Sequence, residues 1–215
     1  MPTALTFTSL QSDVRAYLER GSITDETVYN QIPRLINLAE RRLARELKVQ
    51  GFITAVNSAT VDGTCVIEKP DRWRETISIN LGTGATHGQR STLFPRSYEY
   101  LRMYWPDDTV TAEPKFYADY DYRHWIVAPT PDDAYPFEVV YYELPAMLDD
   151  QNTTNWVTEF APNALLYATL LEATPFLKDD ERIGTWQSMY DRSISALNGE
   201  DLHKVMDRTV ARTGA

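Results

Sequence analysis

Hydrophobic positions change period twice along the chain, and the changes divide it into three stretches. In the first 50 residues they recur at helical spacing. Leu10, Val14, Tyr17 and Leu18 fall at i, i+4, i+7 and i+8, one face of a helix. Thr8, with Gln11 three residues on, suits a capping box, and Gly21 suits a left-handed stop. A second start at Thr24, followed by the dipole-favoured Asp25 and Glu26, leads to Pro33, which lacks an N–H and predicts a kink or a fresh helix start. Beyond it Leu35, Ile36, Ala39, Leu43 and Leu47 form a stripe. Glu40, Arg41, Arg42, Arg45 and Glu46 lie mostly off that stripe, and the arginines among them read as a solvated face.

From 51 to 147 Val, Ile, Thr and Tyr become common, with Gly, Pro and Asp as punctuation. Phe52–Val56 and Val61–Ile67 predict a hairpin with a turn near Val61-Asp62-Gly63. Thr76–Leu81, Thr92–Phe94, Lys115–Ala118, Trp125–Ala128 and Phe137–Glu143 predict further strands, and Ser97–Tyr104 a short crossing helix. Strands this short, separated by turns, suit a sandwich or small barrel. After residue 150 the helical period returns. Thr154 or Asn155 can cap a turn holding Trp156, and Pro162 suits a first helical position. Between Ala161 and Leu177 the only charge is Glu172, so this helix is apolar nearly all round and buried on several sides until Pro175 ends it. Asp179 and Asp180 open a last helix bearing Ile183, Trp186, Tyr190, Ile194 and Leu197, with Asn198-Gly199 as its stop.

The expected architecture is α+β: a helical module from 1–50 and 151–199, an antiparallel β-sandwich or small barrel inserted at 51–150, and a separate piece at 200–215. In that piece Leu202, Val205, Met206 and Val210 make a short apolar stripe, with Lys204, Arg208 and Arg212 as cationic handles. A helix of this length is marginal alone. It is therefore expected either to dock onto another chain, through Leu202, Val205, Met206, Arg208, Val210 and Arg212, or to lie on its own domain. Leu166 and Leu170 of the apolar helix are the candidate contacts between copies.

Charge narrows the choice of partners. The net charge is -10, spread unevenly: +1 over residues 1–50, -8 over 51–150 and -3 over 151–215. Binders of duplex DNA neutralise phosphates with Lys and Arg, so a chain this acidic is a poor candidate for grasping it. One cysteine, Cys65, excludes an internal disulfide framework and a cysteine zinc cage. No run reaches the roughly 18 apolar residues of a membrane span, and Met1-Pro2-Thr3-Ala4 does not begin as a signal peptide does. A soluble protein made in the cytosol is expected, with no membrane partner.

Candidate chemistry is sparse. His87, His124 and His203 are scattered, and no HExxH, clustered Cys/His or EF-hand loop occurs, so no metal is expected. Gly82, Gly84 and Gly88 match neither a dinucleotide loop nor a phosphate loop, so no cofactor is expected. The pairs Asp107-Asp108, Asp132-Asp133, Asp149-Asp150 and Asp179-Asp180 sit by prolines or at helix starts, where Asp serves turns and caps rather than glycoside hydrolysis. There is no GxSxG elbow, and no catalytic residue is assigned. Tyr98, Tyr100, Tyr104, Trp105, Phe116, Tyr117, Tyr120, Tyr122, Trp125, Tyr135, Tyr141 and Tyr142 concentrate aromatic rings in the β region. They suit a core plus a protein interface, or a platform for sugar.

Thr154-Asn155-Trp156-Val157, Ala161-Pro162, Leu165–Ala173, Pro175–Arg182 and Trp186 together resemble the C-terminal helices of head-to-tail adaptor proteins of short-tailed bacteriophages. Ile36–Leu43 with Glu46-Leu47 resembles that family's N-terminal helix, and the strand-rich middle with its Tyr141–Pro145 exit matches the general layout. The resemblance runs over roughly 30–200; residues 82–95 and those after Gly199 fall outside it. It implies a structural virion protein, not an enzyme, located at the head–tail interface. Such adaptors form a ring, commonly of twelve copies, beneath the portal protein. The ring receives the tail nozzle on its other side, and genomic DNA passes through the channel without sequence-specific binding. A tail-completion or tail-tip protein, or a carbohydrate-binding tail component, remains the alternative.

Overall fold

A computed structural model describes residues 5–82, 90–177 and 181–210, the stretch 200–210 by its backbone alone. It resolves into two compact units, Met1–Phe52 with Leu144–Ala215, and Ile53–Glu143. Helices make up the first and strands dominate the second, so the fold is α+β.

In the helical unit α1 spans Phe7–Leu18 and α2 spans Glu26–Glu46. The expected cap of α1 lies two residues too late. Thr6 and Ser9 form the box: the Thr6 hydroxyl accepts from the Ser9 N–H at 3.2 Å, and Ser9 Oγ accepts from the Thr6 N–H at 2.8 Å. Starting there brings Phe7 into the buried face with Leu10, Val14 and Leu18. Glu19, not Gly21, takes the left-handed C-cap at φ 55°. Pro33 neither starts nor ends a helix. It lies inside α2, held by the buried Ile32, Leu35 and Ile36 around it, while Asn37 Nδ2 donates to the Pro33 carbonyl at 3.1 Å.

The C-terminal helices are α4 (Trp156–Phe160), α5 (Pro162–Leu177) and α6 (Ile183–Val210). Asn155 caps α4, accepting from the Val157 and Thr158 N–H groups at 3.0 and 3.2 Å. Pro162 opens α5, where a missing N–H costs nothing. Pro175 lies within the last turn of α5 instead of ending it. α5 touches α1, α2, α4 and α6, which accounts for a helix apolar nearly all round. Trp156 lies against Gly51 so closely that a Cβ there would sit 2.0 Å from its ring, while Phe52 meets the same ring edge-on at 5.2 Å. Gly51→Ala is therefore expected to push the indole aside and lower stability by about 2 kcal/mol, read as a shifted denaturation midpoint.

The predicted stop at Asn198-Gly199 is not there: α6 runs on to Val210, so residues 200–210 continue a helix instead of forming a separate piece. A Cβ on Gly199 would meet nothing within 4 Å. Gly199→Ala should accordingly stabilise α6 by roughly 0.5–1 kcal/mol, seen as a higher melting temperature. A left-handed C-cap at that position would give the opposite sign.

The second unit holds β1 (Ile53–Ala59), β2 (Val66–Glu68), β3 (Trp73–Leu81), β4 (Ser91–Thr92), β5 (Phe94–Pro95), α3 (Tyr98–Tyr104), β6 (Phe116–Asp119), β7 (His124–Ala128) and β8 (Pro136–Glu143). Among the described residues two four-stranded sheets result, in the orders β1-β8-β3-β4 and β2-β7-β6-β5. The expected hairpin of 52–56 with 61–67 does not form, because its two halves belong to different sheets. Thr60 is held to the first sheet's turn, its N–H donating to the Tyr135 carbonyl at 2.9 Å and its hydroxyl to the Asp133 carbonyl at 2.9 Å. The Val61–Thr64 turn then carries the chain across, with the Gly63 N–H on the Pro131 carbonyl. Nor is the pairing wholly antiparallel: β5 and β6 run parallel, since α3 and the long connection after it intervene.

Ile79, Leu81, Phe137, Val139 and Tyr141 from the first sheet share one apolar cluster with Tyr117, Trp125 and Val127 from the second. Lys69 threads this cluster's margin. Its ammonium lies 3.7 Å from the Trp73 ring centroid and donates to Asp119 Oδ1 at 2.6 Å and to the Asp121 carbonyl at 2.9 Å, so a nearly buried cation is fully answered.

Candidate assembly surfaces

The β unit sorts its aromatic residues into two populations. Trp125, Tyr141 and Tyr117 are buried in the core, while a second group gathers on α3 and the neighbouring strands. Ser97 caps α3 by accepting from the Tyr100 N–H at 3.2 Å, and Leu101 anchors it, 1% exposed, against Ala118, Ile126 and Cys65. One helical face being thus committed, Tyr98, Met103 and Tyr104 stay at the surface. Phe116 is the hub of the rings, with Trp105, Tyr100 and Phe94 at 5.3, 6.2 and 6.4 Å. Tyr100 reaches Tyr104 at 4.6 Å, and Tyr98 meets Tyr120 at 5.7 Å.

Two arginines are stacked into this array. Arg96 lies 5.6 Å from both the Tyr100 and Phe116 centroids, and Arg102 lies 5.5 Å from Tyr98 while pairing with Asp108 at 2.5 Å. Stacking limits the conformations that these side chains can adopt, so little entropy remains to be lost on contact. Tyr, Trp and Arg are the residue types that dominate protein–protein hot spots. Composition named most of these rings, but only the fold separates surface from core.

In the helical unit the group that sequence pattern misassigned is Glu40. It has no exposed surface. Its carboxylate accepts from the Leu148 N–H at 3.0 and 3.3 Å and from Asn155 Nδ2 at 2.6 Å, tying α2 to the returning chain and to the cap of α4. Burial pushes its pKa above the ordinary glutamate value, against the pull of those hydrogen bonds. The same helix carries Arg42, which pairs with Glu46 at 2.9 Å and Glu172 at 3.4 Å and stacks 4.8 Å from Tyr190, whose hydroxyl donates to Glu46. Arg42 and Glu46 are thus knitted to α5 and α6 rather than merely solvated.

The candidate contacts on α5 differ in setting: Leu170 is fully buried in its own unit, whereas Leu166 is half-buried and keeps some surface. A cleft of about 410 Å³ opens between α5 and α6, walled by Phe160, Tyr167, Met189 and Leu197. Of the predicted docking residues, Leu202, Val205, Met206, Arg208 and Val210 lie on the helical backbone of α6, their side chains outside the described residues, as is Arg212 altogether. Gly84, Gly88, Asp179 and Asp180 are likewise outside them.

The other acidic pairs serve turns. Asp107 accepts from the Thr109 N–H and hydroxyl, Asp149 from the Gln151 and Asn152 N–H groups, and Asp132 from the Tyr135 hydroxyl, whose pKa is pushed up to about 12. Among the described residues no group of three His, Cys, Asp or Glu is arranged to hold a metal ion, and no helix is long and apolar enough to cross a membrane. No curated protein matches the chain. The model of the family described as SU10 adaptor protein, however, matches residues 5–213, both units together, and the chain accordingly belongs to this family of phage head–tail adaptors.

Proposed function

We propose that the protein assembles into a ring, of twelve copies as is common for such adaptors, that joins the portal to the tail nozzle of a short-tailed phage and lines the channel through which DNA passes. The observation that carries this reading is the aromatic–arginine surface around Phe116, an interface-grade patch on a member of an adaptor family. A ring needs two different patches on every copy, joined head to tail. We assign one to this surface and the other to the α5 side of the helical unit around Leu166. The acidic balance fits a channel wall that repels phosphates and lets DNA slide. No catalytic step is assigned, and synthesis in the host cytoplasm followed by incorporation into the virion completes the scheme.

Negative-stain imaging and mass measurement, with the protein alone and mixed with portal particles, test this. Annular particles with a central channel are expected. A chain that stays monomeric and leaves portal particles undecorated overturns the reading. The end of α6 is the proposed portal contact, through Leu202, Val205, Met206, Arg208, Val210 and Arg212. Deleting 200–215 should leave the melting temperature within a few degrees and abolish portal attachment. A truncated protein that unfolds, or one that binds portal with full affinity, removes that assignment.

A further inference from the structure

Sheet edges in this protein are treated unequally. Among the described residues there are four edge strands; β4 and β5 have two residues each and β2 has three, and a very short edge gives a stray strand little to pair with. The fourth edge, β1, has seven: Ile53-Thr54-Ala55-Val56-Asn57-Ser58-Ala59. It carries no charge and no proline, and six of its seven residues are exposed. Its register with β8 is unbroken from Ile53↔Tyr142 to Ala59↔Pro136, whereas the irregularities of the sheet fall between β3 and β8. Among the described residues of this unit no bulge, charge or proline interrupts this edge. Alternate N–H and C=O groups along β1 point away from β8, a template for a further strand.

A cleft of about 340 Å³ runs beside this edge. Val56 and Ser58 of β1 form one side, and Trp125, Phe137 and Val139 form an apolar floor. Glu68 and Asp71 stand at the rim, and neither has an ion-pair partner among the described residues. Lys69 between them is already neutralised by Asp119.

We infer that β1 is a strand acceptor, and that its occupant is an extended, basic segment of another protein. Backbone pairing to β1 would supply affinity, alternate apolar side chains would enter the cleft, and flanking cations would meet Glu68 and Asp71. A second copy of this chain fits less well. Two β1 edges would meet about a two-fold axis, bringing together two regions that each carry net charge -8, and no other described edge is long enough to pair head to tail. The inference goes beyond the ring reading and does not rest on ring closure, which particle mass reports separately.

The test uses the full chain and a short synthetic peptide of alternating valine and threonine flanked by lysines. Controls are the same peptide flanked by glutamates and one with its central valine replaced by proline. Fluorescence anisotropy should give binding about tenfold tighter for the lysine-flanked peptide than for either control. Hydrogen exchange should slow at residues 53–59. Ala55→Lys with Asn57→Lys, and Asn57→Lys alone as the milder variant, should weaken binding by about tenfold without lowering the melting temperature. Equal binding of all three peptides, slowed exchange elsewhere only, no binding, or a wild-type dimer that the lysine variants dissolve would each overturn the proposal.

Discussion

Leu170→Glu should leave no folded helical unit at room temperature. Leu170 has no exposed surface and sits on α5, which touches every other α-helix of its unit. Removing a buried leucine costs about 2–5 kcal/mol in lost transfer and cavity terms. Placing an unpartnered carboxylate there adds several more. Domains of this kind hold only about 5–15 kcal/mol in total. Circular dichroism at the helical wavelength reads the outcome. Leu166→Glu is the informative companion. Being half-buried, it should cost about 1–2 kcal/mol and leave the fold intact, while blocking assembly. If both variants fold and assemble like the parent, α5 is neither core nor contact.

The second large effect is expected at Glu40. In Glu40→Ala the buried Leu148 N–H loses its acceptor, at a cost of about 1–3 kcal/mol. Asn155, no longer held at 2.6 Å, is freer to leave the α4 cap, which is worth about 1 kcal/mol. A total near 3 kcal/mol lowers the melting temperature by roughly 6–12 °C for a chain of this size. Glu40→Gln keeps one carbonyl acceptor and should lose less. The pH dependence has a definite sign. A carboxyl whose folded pKa is raised binds its proton more tightly in the native state. Its contribution is complete below the ordinary glutamate value of about 4.3 and fades as pH rises through the folded pKa. The parent should therefore lose ground to Glu40→Gln as pH climbs from that value towards neutrality. A Glu40→Ala midpoint indistinguishable from the parent would show that the carboxylate holds nothing.

How far the fold could be read in advance depended on whether local pattern or distant pairing decided it. Helical stripes and the Asn155 and Pro162 boundaries follow from spacing and capping chemistry, and they stand where sequence placed them. By local chemistry alone Pro33 predicts a kink or a fresh start, and Pro175 and Gly199 predict ends, because each is poor in an isolated helix; all three lie inside helices. Tertiary packing of Ile32, Leu35 and Ile36 outweighs the single hydrogen bond that Pro33 removes. Glu40 was misread because a stripe predicts which residues face the core, not which loop returns to cover the flank. Its partners, Leu148 and Asn155, lie 108 and 115 residues away. The missing hairpin has the same origin: Thr60 is claimed by Tyr135 and Asp133, far along the chain. The aromatic–arginine surface was legible as composition only, since burial separates Trp125 from Tyr104 and no periodicity does.

The order in which the chain is made gives the two-unit arrangement a further consequence. Ile53–Glu143 is contiguous, so it can close as soon as it leaves the ribosome. The helical unit cannot. α1 and α2 emerge first, yet their buried faces must wait about a hundred residues for α4 and α5 to arrive, at roughly 5–20 residues per second. During that interval Leu10, Ile32, Ile36 and Leu43 remain uncovered in a nascent chain whose middle is already folded. This interval is when the protein is most open to chaperones, and to association with sister chains still being synthesised.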